Sequence, residues 1–288
     1  MVYKLRNSVG AKEIADHLEL ELLGKNRKIT NISSIENSNK NSLTFSNSVN
    51  FFTSACVLLN INEKKIKEDK SVIFSKNPRL DFMRCLDFLE KRVGFLNNEA
   101  PSKIDNSAII GKNVVIENNC IIGENVVIKP NTTIHSGTKI GNSSVIGSNC
   151  SIGGDGFGFE TLSNGETIRF IHLGGVIIGK NVEIGSLNSI AKGSLSDTII
   201  EDYVRTDNLV HIAHNCFIGK GSLLTACAEI SGSVSIGKNV WLGPNCSINN
   251  KISIGDNSFV GLGAVVQKKI PPNEIWTGNP AKFIKKNK

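Results

Sequence analysis

The sequence predicts a mainly β protein in which short parallel strands coil about one axis, preceded by a small α/β domain. Three observations carry this prediction: a six-residue period of aliphatic residues, asparagine and glycine at fixed places within that period, and a mixed pattern over residues 1–98. The 288 residues are enough for two domains. Because 40% of them are hydrophobic and only 6% aromatic, we expect cores of Ile and Val rather than of large rings.

The six-residue period runs, with interruptions, from Ile104 to Val266. An aliphatic residue recurs at every sixth position from Ile104 to Ile152, in a shifted frame from Ile178 to Ile190, and again from Ile212 to Val266. This period excludes an α-helix, whose apolar stripe recurs at about 3.6 residues. It fits short strands that each bury one aliphatic side chain and then turn a corner.

Two other positions of the period support coiled strands. Asparagine is common three residues after the aliphatic position, and it tolerates the left-handed backbone angles that a tight corner needs. These asparagines are Asn113, Asn119, Asn125, Asn131, Asn149, Asn181, Asn215, Asn239, Asn245 and Asn257. The next position is often small or β-branched, and four of the seven cysteines occupy it: Cys120, Cys150, Cys216 and Cys246. We therefore expect these thiols to fill the interior rather than to act in redox chemistry.

Residues 1–98 lack the six-residue period and instead show patterns typical of helices and strands. Helices are predicted over residues 11–18 and 78–91, the second with Asn77 as its cap and Pro78 in its first turn. Strands are predicted over 42–46, 55–59 and 71–75. The predicted segments are an α/β domain over 1–98, a coiled β domain over 99–275 with an inserted loop at 153–177, and a basic tail over 276–288.

Among the five histidines, His211 and His214 form the most suggestive pair. A zinc site would need a third ligand in register, and no other His lies one coil away, so no metal is expected. A lone His in a repeat is often structural, but His214 is also a candidate general base, because histidine titrates near neutral pH. Residues 18 apart stack in such a coil, which places Gly232 and then Asn250 above His214. The backbone N–H at Gly232 would be open to an oxyanion, and Asp207 is a candidate acceptor for the far ring N–H.

Several motifs resemble a known family. The repeats are typical of the left-handed parallel β-helix, which implies triangular coils of three strands and about eight coils here. The whole chain resembles the UDP-3-O-acylglucosamine N-acyltransferase (LpxD) family of lipid A biosynthesis. The motifs that carry this resemblance are Leu43-Thr-Phe45, Asn77-Pro-Arg-Leu80, Asp155-Gly-Phe-Gly-Phe159, Val176 to Gly185, Asp197-Thr-Ile-Ile200, Asp207-Asn208 and Ile212-Ala-His-Asn215.

The resemblance implies a reaction and a set of roles. An amino group on a UDP-linked sugar attacks an acyl thioester without a covalent enzyme intermediate and without a cofactor beyond the acyl donor. His214 would be the base, Asp207 its helper and Gly232 the oxyanion donor, while Phe45, Ser48 and Phe51 would contact the uridine. The other implied substrate contacts are Asp155, Phe157, Phe159, His172, Asn208, His211, Asn250 and Lys251. A homotrimer with active sites between subunits is also implied.

Differences from the family pattern favour a second hypothesis. Lys251 stands where the family carries a second histidine, and the segment Gly278-Asn-Pro-Ala-Lys282 is typical of acetyl-CoA-dependent sugar acetyltransferases. One hypothesis is therefore transfer of a long acyl chain from acyl carrier protein, and another is N- or O-acetylation of a nucleotide-linked sugar for surface polysaccharide. A β-solenoid scaffold without activity and a zinc hydratase are the remaining alternatives.

Charge and composition limit the partners. The net charge is +7, and the lysines of the C-terminal end suit an acidic carrier protein or the phosphates of CoA as well as a solvated tail. No nucleic-acid-binding motif accompanies the charge. No apolar run approaches the roughly 18 residues of a membrane span, and the first residues do not resemble a signal peptide. Seven cysteines without paired spacing suit a reducing compartment, so the predicted location is the cytoplasm.

Overall fold

A computed structural model describes residues 2–46, 55–59, 71–96 and 99–287. The chain divides into two compact units. The first comprises Met1–Asn97 with Gly158–Ile171, and the second comprises Asn98–Phe157 with His172–Lys288. The insertion is thus shared between the two units. Among the described residues, no helix is long and apolar enough to cross a membrane.

The first unit is a six-stranded sheet with two α-helices. Its elements are β1 (Val2–Gly10), α1 (Ala11–His17), β2 (Leu22–Gly24), β3 (Lys28–Ser33), a 3₁₀ turn (Ile35–Asn37), β4 (Ser42–Ser46), β5 (Cys56–Leu59), β6 (Ser71–Phe74) and α2 (Pro78–Arg92). The strand order is β1-β3-β4-β5-β6-β2, parallel from β3 to β6 and antiparallel at both edges.

The helices and strands that the sequence predicts for this unit are confirmed, with ends that differ by at most one residue. Asn77 caps α2, because its side-chain oxygen accepts a hydrogen bond from the Leu80 N–H at 3.2 Å, and Pro78 occupies the first turn. The α2 side chains Phe82 and Leu86 are fully buried. Strand β5 begins at Cys56, one residue later than predicted.

The second unit is the predicted left-handed parallel β-helix. Its strands are β7 (Lys103–Ile104), β8 (Ile109–Ile110), β9 (Val115–Ile116), β10 (Ile121–Ile122), β11 (Val127–Ile128), β12 (Thr133–Ile134), β13 (Lys139–Ile140), β14 (Val145–Ile146), β15 (Ser151–Gly154), β18 (Val176–Ile178), β19 (Glu183–Ile184), β20 (Ser189–Ala191), β21 (Thr198–Ile200), β22 (Arg205–Thr206), β23 (His211–Ile212), β24 (Phe217–Ile218), β25 (Leu223–Leu224), β26 (Glu229–Ile230), β27 (Ser235–Ile236), β28 (Trp241–Leu242), β29 (Ser247–Ile248), β30 (Ser253–Ile254), β31 (Phe259–Val260), β32 (Val265–Val266), β33 (Glu274–Thr277) and β34 (Lys282–Lys286). The insertion between β15 and β18 carries β16 (Phe159–Thr161) and β17 (Thr167–Arg169), which belong to the first unit.

Three sheets with eight, ten and eight strands form the faces of the helix, and all their strands are parallel except β34, which pairs antiparallel with β33. Each strand pairs with the equivalent strand of the next coil, so that the periodic aliphatic residues stack in columns. Ile122, for example, pairs with Ile104 below and Ile140 above. From Ile122 onward these columns are buried, and they form the core of the unit.

The corner asparagines lie where the period predicts. All ten adopt φ between 53° and 61°, in the left-handed region. The predicted thiol fillers are also confirmed, since Cys120, Cys150, Cys216 and Cys246 are at most 3% exposed. Burial raises the pKa of the Cys216 thiol to about 11 and that of Cys246 to about 12, so these thiols stay protonated.

Two irregularities interrupt the coils. The insertion carries an antiparallel hairpin, β16 to β17, closed by Asn164 and Gly165 with φ of 87° at the glycine. Further along, the offset between coils rises from 18 to 22 residues, as between Ser186 and Asn208. The extra residues form a bulge around Gly193 to Ser196. The amide of Asn215 closes this bulge, because its Oδ1 accepts hydrogen bonds from the Ser194 N–H and hydroxyl.

Candidate active site

A cavity of about 590 Å³ opens on the β-helix unit where the insertion leaves the coil. The sheet that contains β15, β20, β23 and β26 forms its floor. The lining residues that matter for the chemistry are Ser151, Asp155, Gly156, His211, His214 and Gly232. The cavity thus brings together several residues that the sequence singles out.

His214 follows β23 at a half-buried corner of the coil. Its Nδ1 lies 2.9 Å from the Oδ1 atom of Asn215. The orientation of that amide is set by its neighbours, because Oδ1 accepts from Ser194 and Nδ2 donates to the Ser196 hydroxyl at 2.9 Å. An amide oxygen can only accept, so Nδ1 of His214 carries the proton and Nε2 keeps its lone pair. His214 therefore has the tautomer that a general base needs.

The base nitrogen points at the backbone of the next coil. The Ser233 N–H donates to the His214 carbonyl at 2.9 Å, which confirms the predicted stacking of Gly232 over His214. A Cβ placed on Gly232 would lie only 2.8 Å from Nε2 and from Cε1. Only glycine lets the ring come this close to the main chain.

A second histidine packs against the first. The rings of His172 and His214 meet edge to face, with 5.4 Å between centroids, and His172 is only 5% exposed. Gly156 fits between them, since a Cβ there would lie 2.7 Å from Nε2 of His172 and 2.9 Å from Cβ of His214. The family resemblance implied that His172 contacts substrate, but it did not predict this contact with His214. The signal for Gly156 was its place in the Asp155-Gly-Phe-Gly-Phe159 segment.

The segment before Gly156 is held by a charged pair. Nζ of Lys192 lies 2.7 Å from Oδ1 of Asp155, and the Lys192 N–H donates to the Gly154 carbonyl at 2.9 Å. Phe157 follows with 88% of its surface exposed at the cavity. Phe159 belongs instead to β16 in the first unit, where the Arg169 guanidinium covers its ring at 4.4 Å.

The expected contact from Asp207 to His214 is not the one that forms within the chain. Asn215 occupies Nδ1 of His214, while Oδ1 of Asp207 accepts from the Asn208 N–H at 2.7 Å. Asp207 is exposed on a different face of the coil, which explains the difference. Asn208 supports a corner, because its Oδ1 accepts from the Ser186 N–H at 2.7 Å.

The remaining candidates lie at different distances from this centre. His211 is exposed in the cavity, between Ser189 and Glu229 on the neighbouring strands. Asn250 stacks over Gly232, and Lys251 is an exposed corner residue with φ of 59°. Phe45 is half-buried in the first unit, with its ring 4.8 Å from that of Phe82. Ser48 and Phe51 lie outside the described residues. No group of three or more potential metal ligands occurs in the described part of the chain.

Comparison with known proteins agrees with this architecture. Residues 101–136, 119–154 and 233–268 match the family described as bacterial transferase hexapeptide (six repeats). A UDP-3-O-acylglucosamine N-acyltransferase of Legionella pneumophila is 56% identical over 82 residues, which are 28% of this chain and 24% of the relative. One from Saccharophagus degradans is 59% identical over 76 residues, or 26% of this chain and 22% of the relative. The match thus spans about a quarter of these relatives.

A solved structure shares the fold. The UDP-N-acetylglucosamine acyltransferase of Campylobacter jejuni superposes with a TM-score of 0.52 at 28% identity, covering 64% of this chain and 72% of that one. Fold and repeats are therefore similar to those of bacterial hexapeptide-repeat transferases over the matched segments. The resemblance to the UDP-3-O-acylglucosamine N-acyltransferase family is confirmed over the matched 26–28% of this chain.

Proposed function

We propose that the protein transfers an acyl group from a thioester to the amino group of a UDP-linked amino sugar, as a step of lipid A-type biosynthesis. The observation that carries this proposal is the contact of His214 Nδ1 with the Asn215 amide oxygen, which leaves Nε2 unprotonated beside the Gly232 backbone at the cavity. The names of the most similar relatives support the choice of acceptor and reaction.

In the proposed mechanism the sugar amine attacks the thioester carbonyl. Nε2 of His214 takes the proton that the nitrogen loses, and the Gly232 N–H stabilises the oxyanion. Collapse of the tetrahedral intermediate breaks the C–S bond, and the imidazolium returns the proton to the leaving thiolate. Because Oδ1 of Asn215 accepts from Nδ1, it holds the ring and stabilises the imidazolium that forms. No cofactor beyond the thioester is needed.

The packing around His214 supports this role. Its ring is confined by His172 and Gly156 on one side and by Gly232 on another, so the base is oriented before substrate binds. We propose that Asp155 and Lys192 hold the insertion against the cavity, and that Phe157, Asn208, His211, Asn250 and Lys251 contact substrate. Phe45, with Ser48 and Phe51, is proposed to contact the uridine.

Acetylation is the second candidate for the donor. Lys251 in place of a second histidine and the Gly278-Asn-Pro-Ala-Lys282 segment favour acetyl-CoA over acyl carrier protein. Either donor is anionic, which suits the exposed lysines of β34. We propose a homotrimer with sites between subunits, acting in the cytoplasm, whose reducing conditions suit the seven cysteines.

A donor competition tests the proposal. Purified protein is mixed with UDP-linked amino sugars and either acetyl-CoA or hydroxyacyl carrier protein, and the products are weighed by mass spectrometry. Transfer from one donor is expected, and His214→Ala should lower turnover about 100-fold or more with the protein still folded. His17→Ala is the matched control, since His17 stacks on Phe88 in the first unit. Wild-type turnover in the His214 variant would refute the mechanism, and transfer from neither donor would refute the function.

A further inference from the structure

A line of three polar side chains lies on consecutive coils beside the cavity. Oε1 of Glu117 lies 3.1 Å from Nδ1 of His135, and Nε2 of His135 lies 3.1 Å from the Ser151 hydroxyl. Glu117 and His135 are 18 residues apart, so they stack directly, and Ser151 lies on β15, one coil further. The proposed acyl transfer uses none of these three side chains.

The partners of the ring determine which nitrogen of the neutral ring carries the proton. A carboxylate only accepts hydrogen bonds, so Nδ1 of His135 must donate to Glu117. The neutral ring then has its lone pair on Nε2, and the Ser151 hydroxyl donates to it. This order of acid, histidine and serine is the arrangement that activates a serine nucleophile.

The line is held in place at both ends. The Ser136 N–H donates to Oε2 of Glu117 at 2.8 Å, so the carboxylate is bound through both oxygens. At the other end, β15 carries a bulge between Ile152 and Gly154, with φ of 90° at Gly153. A Cβ on Gly154 would lie 3.3 Å from the Ser151 hydroxyl and 3.6 Å from Nε2 of His135. The bulge thus brings the Gly154 backbone close to the Ser151 hydroxyl and to Nε2 of His135.

The serine is also accessible to a ligand. Ser151 is half-exposed and lines the same 590 Å³ cavity as His214. His135 keeps 29% of its side chain exposed, so water can reach the ring. A molecule that enters this cavity therefore meets both His214 and Ser151, the serine that His135 contacts.

We propose that Ser151, His135 and Glu117 form a nucleophilic site that hydrolyses activated carboxylic esters or thioesters. Ser151 Oγ attacks the acyl carbonyl and passes its proton to Nε2 of His135. The bond to the leaving alcohol or thiol then breaks, and the leaving group takes that proton. Water attacks the acyl-serine with His135 as base, the carboxylic acid is released, and Ser151 Oγ recovers a proton from His135. This activity is independent of the proposed transfer to a sugar.

A fluorophosphonate probe tests the nucleophile directly. Wild-type protein is expected to gain one adduct, mapped to Ser151 by peptide mass spectrometry, and to hydrolyse p-nitrophenyl acetate. Ser151→Ala should abolish the adduct, and His135→Ala should slow labelling about 100-fold. Ser247→Ala is the matched control, since Ser247 occupies the equivalent strand position on β29 and should leave labelling unchanged. Labelling should persist in His214→Ala, which separates this site from the transferase centre.

Glu117 is tested as a positioning residue by spectroscopy. In protein labelled with ¹⁵N-histidine, which has five such residues, His135 should show a proton on Nδ1 in the wild type. Glu117→Gln should lose that single tautomer and slow labelling about tenfold. Melting temperatures of the variants show whether each is folded. No adduct, an adduct on another residue, or undiminished labelling in folded His135→Ala would overturn the proposal.

Discussion

Replacing Gly232 by alanine should displace the ring of the candidate base, His214, although His214 itself is not substituted. The added methyl would lie 2.8 Å from Nε2 of His214, whereas ordinary contacts begin near 3.4 Å. The ring must therefore retreat by about 0.6 Å, because the methyl is fixed on the backbone of the next coil. Misplacement of a catalytic group by about 1 Å costs about 100-fold in rate, so we expect a 10- to 100-fold loss in kcat, or about 1.4–2.7 kcal/mol.

The assay compares steady-state acyl transfer by the wild type and the variant. Gly232 has no left-handed φ, so alanine suits its backbone, and the melting temperature should change little. A matched measurement in the His214→Ala background isolates the cause. Without the ring there is nothing to displace, and Gly232→Ala should then cost almost nothing further. Full turnover in Gly232→Ala, or an equal loss with and without the ring, would refute the argument.

Two further predictions concern the thiols and one buried carboxyl. Cys227 is exposed, whereas Cys216 and Cys246 are buried, so a thiol reagent at pH 8 should label Cys227 first. Cys216 and Cys246 should stay unlabelled until the protein unfolds. Intact-mass spectrometry measures the labelling, and equal labelling of all three thiols would contradict their burial. Burial raises the pKa of Asp197, so the proton that it retains stabilises the fold at low pH, and this contribution is lost as the pH rises through the folded pKa. Asp197→Asn keeps an acceptor for the Gly175 N–H. Relative to the wild type, this variant should raise the melting temperature more at pH 7.5 than at pH 4. An equal rise at both pH values would contradict this prediction.

The β-helix was predictable because its information is local and repeated. Each coil repeats the same pattern, an inward aliphatic residue followed by a corner residue. The positions of Ile122 and Asn125 can therefore be predicted from their place in the six-residue period alone. The stacking of Gly232 over His214 follows from the same arithmetic. The period also predicted the buried thiols, since Cys216 and Cys246 occupy an inward position.

The rest of the site lies where the period fails. His172 belongs to the insertion, whose conformation the six-residue period does not predict, so its contact with His214 could not be predicted either. The bulge before Asp197 shifts the coil by four residues, and its Ser194 and Ser196 orient the Asn215 amide that contacts the ring, where sequence reasoning placed Asp207. Phe159 was grouped with the cavity residues by its motif, but the hairpin carries it into the first unit.

The insertion also marks a joint in the folding of the β-helix. Most neighbouring strands are 18 residues apart, whereas those on either side of the insertion are 38 apart, as between Ser148 and Ser186. Closing the longer loop costs about 0.7 kcal/mol more chain entropy than an ordinary coil. In a stack of near-identical repeats, folding can nucleate in any repeat and propagate to its neighbours, and propagation is slowest at the least favourable step. The cavity spans this joint, with Ser151 below it and His211 above. The site is therefore completed only when two growing stacks have joined.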